Sequence, residues 1–321
     1  MPEPTLRFIE SNGIRMRIAE MGEGPLVLLL HGWPESWYSW RHQLSALAEA
    51  GYHAVAPDLR GYGKTEKPEA VEEYDIVHLT GDAVGILDAL GEKTATVVGH
   101  DWGAIVAWNC VLLHPERFNA LIAMSVPYGG RPKESMLTTW KRQFGDNFFY
   151  ILYFQEPGVA EAEFDADPRG ILSRLYLSPD SPREKAEVSD PKRSAGGWIG
   201  RLGAPKELPD WLKAEDLDYY VGEFTEAGFR GGINFYRNFH RNWEITPQLA
   251  DASVEQPVLF IAGSKDVVIR GANAEQLTGM MGRATKDLRG VKLIDDIGHW
   301  VQQESPAETN AAMIEFLKSL K

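Results

Sequence analysis

Residues 95–103 read ATVVGHDWG, and this stretch indicates the fold of the whole chain. A short aliphatic run typical of a buried strand passes through GHDWG, at residues 99–103, into the apolar helical pattern of residues 102–114. A strand, a tight turn and a helix in this order form a nucleophile elbow, which lifts one side chain above the sheet beside the N-terminus of the helix. Glycine is needed two positions either side of the tip, because larger side chains there would collide.

The residue at the tip, Asp101, decides which chemistry the elbow serves. In the common pattern the tip is serine, but no Gly-x-Ser-x-Gly motif occurs in this sequence. A carboxylate that attacked an acyl carbon would form an anhydride, whereas attack on a saturated carbon gives an ester that water can hydrolyse. The motif therefore favours alkylating substrates such as epoxides and alkyl halides. The same letters also fit an ordinary strand–helix turn, so the assignment depends on the residues that accompany Asp101.

Strands and helices alternate on both sides of this elbow. Aliphatic or alternating runs predict eight strands, at residues 7–10, 14–20, 25–30, 52–56, 95–98, 120–126, 257–262 and 291–294. Helical patterns between them, such as residues 35–50 and 77–90, predict an α/β fold with a mostly parallel sheet flanked by helices. An Asn-Gly pair at residues 12–13 predicts a hairpin, and SPAE at residues 305–308 predicts a capping box at the start of the last helix.

The alternation is interrupted in the second third of the chain. Residues 129–245 carry no aliphatic strand runs and are rich in aromatic residues, proline and glycine, with a helical pattern at residues 212–227. We therefore expect a core formed by residues 1–128 and 246–321. Residues 129–245 are expected to form an inserted, mainly helical cap, or lid.

A nucleophile of this kind needs a base and an acid that orients the base, in the chain order nucleophile, acid, histidine. His299 follows the last predicted strand, and Asp266 follows the strand before it. Both positions lie at carboxyl ends of strands, where open α/β sheets place their sites. Asp266 alone would also fit a turn or a helix cap. Asp296 is the rival orienting acid, but it lies only three residues before His299.

A second turn at the same edge of the sheet is expected to complete the site. The motif HGWP at residues 31–34 follows the third predicted strand. Backbone N–H groups after this strand and after the nucleophile would form an oxyanion hole, with Trp33 and Trp102 as the expected donors. The alternative is a packing turn, which would explain the glycine and the proline but not their placement at this edge.

The composition narrows the classes of function. A net charge of −13 would repel nucleic-acid phosphates and anionic lipid surfaces, so we expect neither a nucleic-acid nor a membrane partner. The single cysteine, Cys110, excludes an intramolecular disulfide and reads as a small buried hydrophobe. The first twenty residues contain no apolar run typical of a signal peptide. Together with the single cysteine, this favours the cytoplasm. No His-Glu-x-x-His motif or cysteine pair occurs, so neither a metal nor another cofactor is expected.

The chain closely resembles the α/β-hydrolase-fold epoxide hydrolases, particularly the hydrolase domain of the mammalian soluble enzymes. The resemblance covers nearly the whole chain, and its most specific segments are HGWPESWYSW (31–40), GHDWG (99–103), YFQEPGVA (153–160), FYRNFHRN (235–242) and GHW (298–300). It implies an eight-stranded α/β-hydrolase fold with a cap. It also implies that Tyr150 and Tyr236, matched by motif, donate hydrogen bonds to the epoxide oxygen, although other lid tyrosines would fit on sequence alone.

The resemblance implies a two-step reaction with a small apolar epoxide and water as the reactants. Asp101 forms an alkyl ester, His299 oriented by Asp266 activates water, and a vicinal diol leaves. We expect the substrate pocket to be lined by His31, Pro34, Trp102, Tyr153 and Trp300. The protein is expected to be a monomer or a homodimer.

Two other functions remain open at this point. A haloalkane dehalogenase shares the aspartate, the histidine and a tryptophan after the nucleophile, but it has no use for paired phenols. A non-catalytic ligand-binding receptor on the same scaffold would not need an intact triad. A serine esterase is disfavoured because the elbow carries no serine.

Overall fold

A computed structural model of the chain describes residues 3–320 and contains one eight-stranded sheet. The strands are β1 (Thr5–Ser11), β2 (Ile14–Met21), β3 (Leu26–Leu30), β4 (His53–Pro57), β5 (Ala95–His100), β6 (Phe118–Met124), β7 (Val254–Gly263) and β8 (Thr285–Ile294). Their order is β1-β2-β4-β3-β5-β6-β7-β8. Pairs β1·β2 and β2·β4 are antiparallel and the others are parallel, which confirms the predicted fold class.

Helices cover both faces of the sheet and also fill the segment between β6 and β7. They are α1 (Arg41–Glu49), α2 (Ile76–Leu90), α3 (Trp102–Leu113), α4 (Met136–Phe144), α5 (Tyr150–Tyr153), α6 (Val159–Ala166), α7 (Pro168–Leu175), α8 (Ala214–Ala227), α9 (Arg230–Arg237), α10 (Phe239–Ile245), α11 (Ala274–Met281), α12 (Val301–Glu304) and α13 (Pro306–Ser319). Within residues 3–320 every strand of the sheet lies outside residues 129–245, and helices α4–α10 lie inside them.

The central strands are buried on both faces. All five residues of β3 and all six of β5 are buried. Because side chains alternate across a strand, Leu28 and Val97 belong to the apolar cluster on one face, whereas Leu29 and Val98 belong to the cluster on the other. This double coverage explains why these strands read as continuous aliphatic runs rather than as alternating patterns.

The hairpin prediction is confirmed, since β1 pairs with β2 and both Asn12 and Gly13 have positive φ. The capping-box prediction at Ser305 is wrong, although Pro306 does begin α13 as predicted. Ser305 also ends α12, where its N–H donates to Val301, and its ψ of 65° is not the extended value that aims a capping side chain at the helix. Its side chain therefore makes no capping hydrogen bond.

The two largest boundary differences from the prediction have local causes. The helix expected from residue 35 begins at Arg41, because Trp37–Trp40 form a separate 3-10 turn capped by Ser36. Strand β8 is ten residues long, and its first half was missed because it is a half-exposed edge strand with charged residues. In the part of the chain that the structure describes, no helix is both long and apolar enough to cross a membrane.

Candidate active site

The elbow between β5 and α3 holds Asp101 in a strained backbone conformation. Its φ is 52° and its ψ is −116°, a region that costs a non-glycine residue about 1–3 kcal/mol. A Cβ atom on Gly103 would overlap the carbonyl oxygen of Leu30, and one on Gly99 would overlap the carbonyl oxygen of Gly103. Both glycines are therefore required by the close approach of α3 to the sheet.

The Asp101 carboxylate lies among backbone N–H groups. The N–H of Trp33 donates to Asp101 Oδ1 at 2.9 Å, and the N–H of Trp102 also hydrogen-bonds this carboxylate. Burial raises the pKa of Asp101 above its usual value, although His299 and these N–H groups oppose the shift. The two residues predicted as oxyanion-hole donors are thus brought to the nucleophile.

His299 lies between two carboxylates. Its Nδ1 is 3.0 Å from Asp266 Oδ1, and its Nε2 is 3.8 Å from Asp101 Oδ2. Asp266 is buried at the end of β7, where His299 holds its pKa below the usual value despite burial. Asp296 does not take this place, because it is exposed and pairs with Lys265 at 3.0 Å.

The charges around His299 favour its protonated form in the free protein. Burial would lower the pKa of His299, but the nearby charges of Asp266 and Asp101 outweigh burial and raise it to about 9. At neutral pH a protonated His299 is therefore favoured beside the Asp101 carboxylate. Any change that neutralises Asp101 therefore also removes one of the causes of the raised pKa of His299.

Two phenols from the segment of residues 129–245 face Asp101. Tyr150 begins α5 and Tyr236 lies in α9, with their ring centroids 5.8 Å apart in an edge-to-face arrangement. Burial and the charge of Asp101 raise the pKa of both phenols above the ordinary value. Both therefore remain protonated at neutral pH and can act as hydrogen-bond donors toward an atom held above Asp101.

A cavity of about 350 Å³ joins these groups. It is lined by Trp33, Pro34, Asp101, Tyr150, Arg174, Leu175, Leu177, Pro179, Arg183, Trp198, Leu202, Tyr236, Lys265, Val267, Val268, Gly298, His299 and Trp300. Its wall is mainly apolar, which suits a substrate with little polar surface. Among residues 3–320, no group of three or more His, Cys, Asp or Glu residues is arranged to hold a metal ion.

Of the five predicted pocket residues, Pro34 and Trp300 line this cavity, whereas His31, Trp102 and Tyr153 do not. His31 is fully buried beneath it, where its Nε2 accepts from Leu59 N–H and its Nδ1 donates to the Gly32 carbonyl. Burial lowers the pKa of His31 to about 4, so it is a neutral structural residue.

Tyr153 and Trp102 lie outside this cavity because of how residues 129–245 pack. Tyr153 donates its phenol to Glu163 at 2.9 Å and lines a separate surface groove. The Trp102 ring packs against Tyr236 and faces a second cavity of about 160 Å³. Trp102 therefore contributes its backbone N–H to the site but not its side chain to the pocket wall.

A buried pair that the sequence analysis missed lies behind the site. His100 Nδ1 is 2.9 Å from Glu35 Oε2, and its Nε2 is 2.8 Å from the carbonyl oxygen of His299. Glu35 also accepts from Gly32 N–H at 2.8 Å. Burial would raise the pKa of Glu35, but His100 beside it contributes to lowering that pKa to about 2. The pair connects the HGWP loop, the elbow and the loop that carries His299. The sequence motifs that contain His100 and Glu35 did not reveal this role.

Comparison with known proteins agrees with this geometry. The sequence pattern of the alpha/beta hydrolase fold matches residues 25–306. The chain is 47% identical to epoxide hydrolase A of Mycobacterium tuberculosis, covering 100% of this chain and 99% of that protein. It is 36% identical to bifunctional epoxide hydrolase 2 of Sus scrofa, covering 96% of this chain and 54% of that protein. The crystal structure of epoxide hydrolase A from Mycobacterium thermoresistibile is 48% identical, with a TM-score of 0.89 and 99% of both chains covered.

Three findings together define the class of this protein: the aspartate elbow, the eight-stranded sheet and the sequence match over most of the chain. The chain belongs to the α/β-hydrolase-fold family. Within that family it belongs to the epoxide hydrolases, since its identity to a member extends over its full length. The resemblance inferred from its motifs is confirmed.

Proposed function

We propose that the protein converts epoxides to vicinal diols through a covalent alkyl ester on Asp101. One observation carries this proposal: a carboxylate at the elbow tip shares a cavity with two protonated phenols and lies 3.8 Å from a histidine. The phenols are what an epoxide needs, because opening its ring releases an alkoxide whose charge must be shared or neutralised. The names of the similar proteins support the same reaction.

In the first step an oxygen of Asp101 attacks an epoxide carbon, and the carbon–oxygen bond of the ring breaks. Tyr150 and Tyr236 donate hydrogen bonds to the leaving oxygen, which stays attached through its other carbon. One proton passes from the protein to this oxygen. A phenol delivers it, and the His299 cation is the acid in the site that replaces it. The step ends with a hydroxyalkyl ester and a neutral His299.

In the second step His299 acts as a base. It takes a proton from water, and the hydroxide attacks the carboxyl carbon of Asp101, whose oxyanion accepts from the N–H groups of Trp33 and Trp102. Collapse releases the diol with one former oxygen of Asp101. One oxygen of water remains in the carboxylate, and the Asp101 anion and the His299 cation are restored. Protons, atoms and charge balance without a cofactor.

The two parts of the chain contribute differently to this scheme. We propose that residues 1–128 and 246–321 form the core that supplies Asp101, Asp266 and His299. Residues 129–245 form the lid that supplies the two phenols and part of the apolar wall. The substrate is a small apolar epoxide, with water as the second reactant. A cytoplasmic location and a monomeric or homodimeric state stay predictions from the sequence.

Trapping of the intermediate tests the proposed function. His299→Gln lacks the base of the second step, so it is expected to accumulate a protein adduct whose mass exceeds the free chain by one molecule of styrene oxide. Asp101→Asn is the matched control, because it keeps the shape of the site but cannot form the ester. Wild-type protein is expected to form diol from styrene oxide and to release no halide from a chloroalkane. An absent adduct in His299→Gln, or an equal adduct in Asp101→Asn, would refute the ester on Asp101.

A further inference from the structure

Trp198 forms the centre of a three-ring stack beside the candidate nucleophile. Its ring lies 4.7 Å from that of Tyr150 with an interplanar angle of 16°, and 5.8 Å from that of Trp33 with an angle of 7°. Trp198 also lines the cavity that contains Asp101. We propose that Trp198 is a positioning residue, which holds the Tyr150 phenol in place for ring opening. This inference rests on the proposed function.

Tyr150 needs such support because its phenol must stay free for the substrate. In the described part of the chain no protein group hydrogen-bonds the Tyr150 hydroxyl, so contacts of the Tyr150 ring must fix the direction of its phenol. The helix that carries Tyr150 is only four residues long and lacks a side-chain cap. The rings of Phe149, Phe154 and Tyr236 meet Tyr150 edge to face, and Trp198 supplies its stacked contact.

Trp198 is itself anchored through its backbone. The N–H groups of Trp198 and Ile199 donate to the two oxygens of Glu163, each at 2.9 Å. The phenol of Tyr153 donates to the same carboxylate. A Cβ on Gly197 would overlap the Glu163 carboxylate, so glycine at this position permits the close approach. Charge-assisted hydrogen bonds of this kind hold the loop that contains Trp198 against α6. The Trp198 ring is therefore a rigid support for Tyr150.

The two rings stacked on Trp198 belong to residues that act in different reaction steps, so loss of Trp198 should affect the two steps unequally. Tyr150 acts only in ring opening. Trp33 acts in ester hydrolysis through its backbone N–H, and the HGWP loop is held independently by the reciprocal bonds between Gly32 and Glu35. Removal of the Trp198 ring should therefore slow formation of the ester and leave its hydrolysis nearly unchanged. A residue that only supported the fold of the lid would position Tyr236 as well as Tyr150, so its removal would slow ester formation even in the absence of the Tyr150 hydroxyl.

A double-mutant cycle tests this role. Trp198→Ala is made in the wild-type and in the Tyr150→Phe background, and single turnovers of styrene oxide are quenched in acid and followed by intact-protein mass. Trp198→Ala is expected to slow ester formation at least about tenfold, since misplacement of a reacting group by about 1 Å carries a cost of this order or larger. In the Tyr150→Phe background it should change that rate by less than about twofold, because the effects of two residues that act through the same group are not additive.

Two further variants complete the design. Trp198→Phe keeps a stacked ring, so it should retain most of the rate of ester formation, and Trp198→Leu serves if the alanine variant does not fold. Trp211→Ala is the matched control, because Trp211 is a lid tryptophan that does not line the cavity and hydrogen-bonds Ser178 instead. It is expected to leave both steps within about twofold of the wild-type rates.

The outcomes separate the inference from the function on which it rests. If wild-type protein forms no alkyl ester, both are overturned. If the ester forms, either of two results would overturn the positioning role alone. One is that Trp198→Ala slows both steps equally. The other is that it slows ester formation by the same factor in the Tyr150→Phe background. Slower ester formation that depends on that hydroxyl supports the role.

Discussion

The protonation of His299 is linked to the charge of Asp101, 3.8 Å away. The Asp101 anion is one of the groups that raise the pKa of His299 to about 9. In the proposed reaction, conversion of Asp101 to a neutral ester removes that charge, so the pKa of His299 falls when a base is required. The reaction itself thus prepares the histidine for the second step, and a neutral replacement at residue 101 should imitate this change.

Asp101→Asn is accordingly expected to lower the pKa of His299. The cause is loss of a negative charge near the imidazolium, which the remaining carboxylate of Asp266 compensates only in part. Titration of the His299 ring by NMR in the two proteins measures the effect. A pKa near 9 in wild-type protein and a clearly lower one in Asp101→Asn are predicted. Equal values in both proteins would contradict the linkage.

At the scale of elements, the elbow was predictable because its requirements are local. The glycines at residues 99 and 103 are fixed by contacts with neighbouring backbone, and the buried strands show as aliphatic runs. The candidate triad followed from strand ends in the same way. Strand β8 was predicted only in part, because a half-exposed edge strand carries no aliphatic signal in its charged half.

The lining of the cavity could not be predicted from the sequence. Tyr153 and Tyr150 lie three residues apart on the same short helix, yet one faces Glu163 and the other faces Asp101. Trp198 was missed for the same reason, since its stacking depends on how the loop before α8 packs on α6. These choices are made by contacts between elements far apart in sequence.

The packing of the elbow makes a prediction about stability. Gly103→Ala is expected to lower the free energy of unfolding by at least about 2 kcal/mol, because the new methyl group would overlap the backbone of β3. Gly279→Ala is the control in α11, where a Cβ meets no atom within 4 Å. It should raise the stability by about 0.5–1 kcal/mol through the higher helix propensity of alanine. Urea unfolding of both variants checks the contrast, and equal effects would show that the elbow is not tightly packed.

At the scale of the whole molecule, a buried charge cluster joins the sheet to the segment proposed as the lid. Arg17 of β2 pairs with Asp58 at 2.5 Å and with Glu223 of α8 at 2.5 Å. The side chain of Arg17 is only 6% exposed and that of Asp58 is fully buried. Tyr38 adds a hydrogen bond to Asp216 of the same helix. Helix α8 is thus fixed to the core by several buried polar contacts.

Removal of the Arg17 cation from this junction should lower the stability of the protein. Arg17→Met is expected to lower the free energy of unfolding by about 3–5 kcal/mol, because it leaves a buried carboxylate without its partner. Adding Asp58→Asn should recover part of the loss. Lys64→Met is the control, since Lys64 and Glu226 form an exposed ion pair at 3.8 Å, and its effect should be below about 1 kcal/mol. Urea unfolding decides, and similar losses in Arg17→Met and Lys64→Met would refute the account of this junction.

The origin of the diol oxygen tests the central claim most directly. Protein in excess over styrene oxide is allowed one turnover in water labelled with heavy oxygen, and both the diol and the peptide containing Asp101 are analysed by mass spectrometry. The ester mechanism predicts an unlabelled diol and heavy oxygen in the Asp101 carboxylate, because water attacks the carboxyl carbon. Heavy oxygen in the diol of this first turnover, with none in Asp101, would contradict the mechanism.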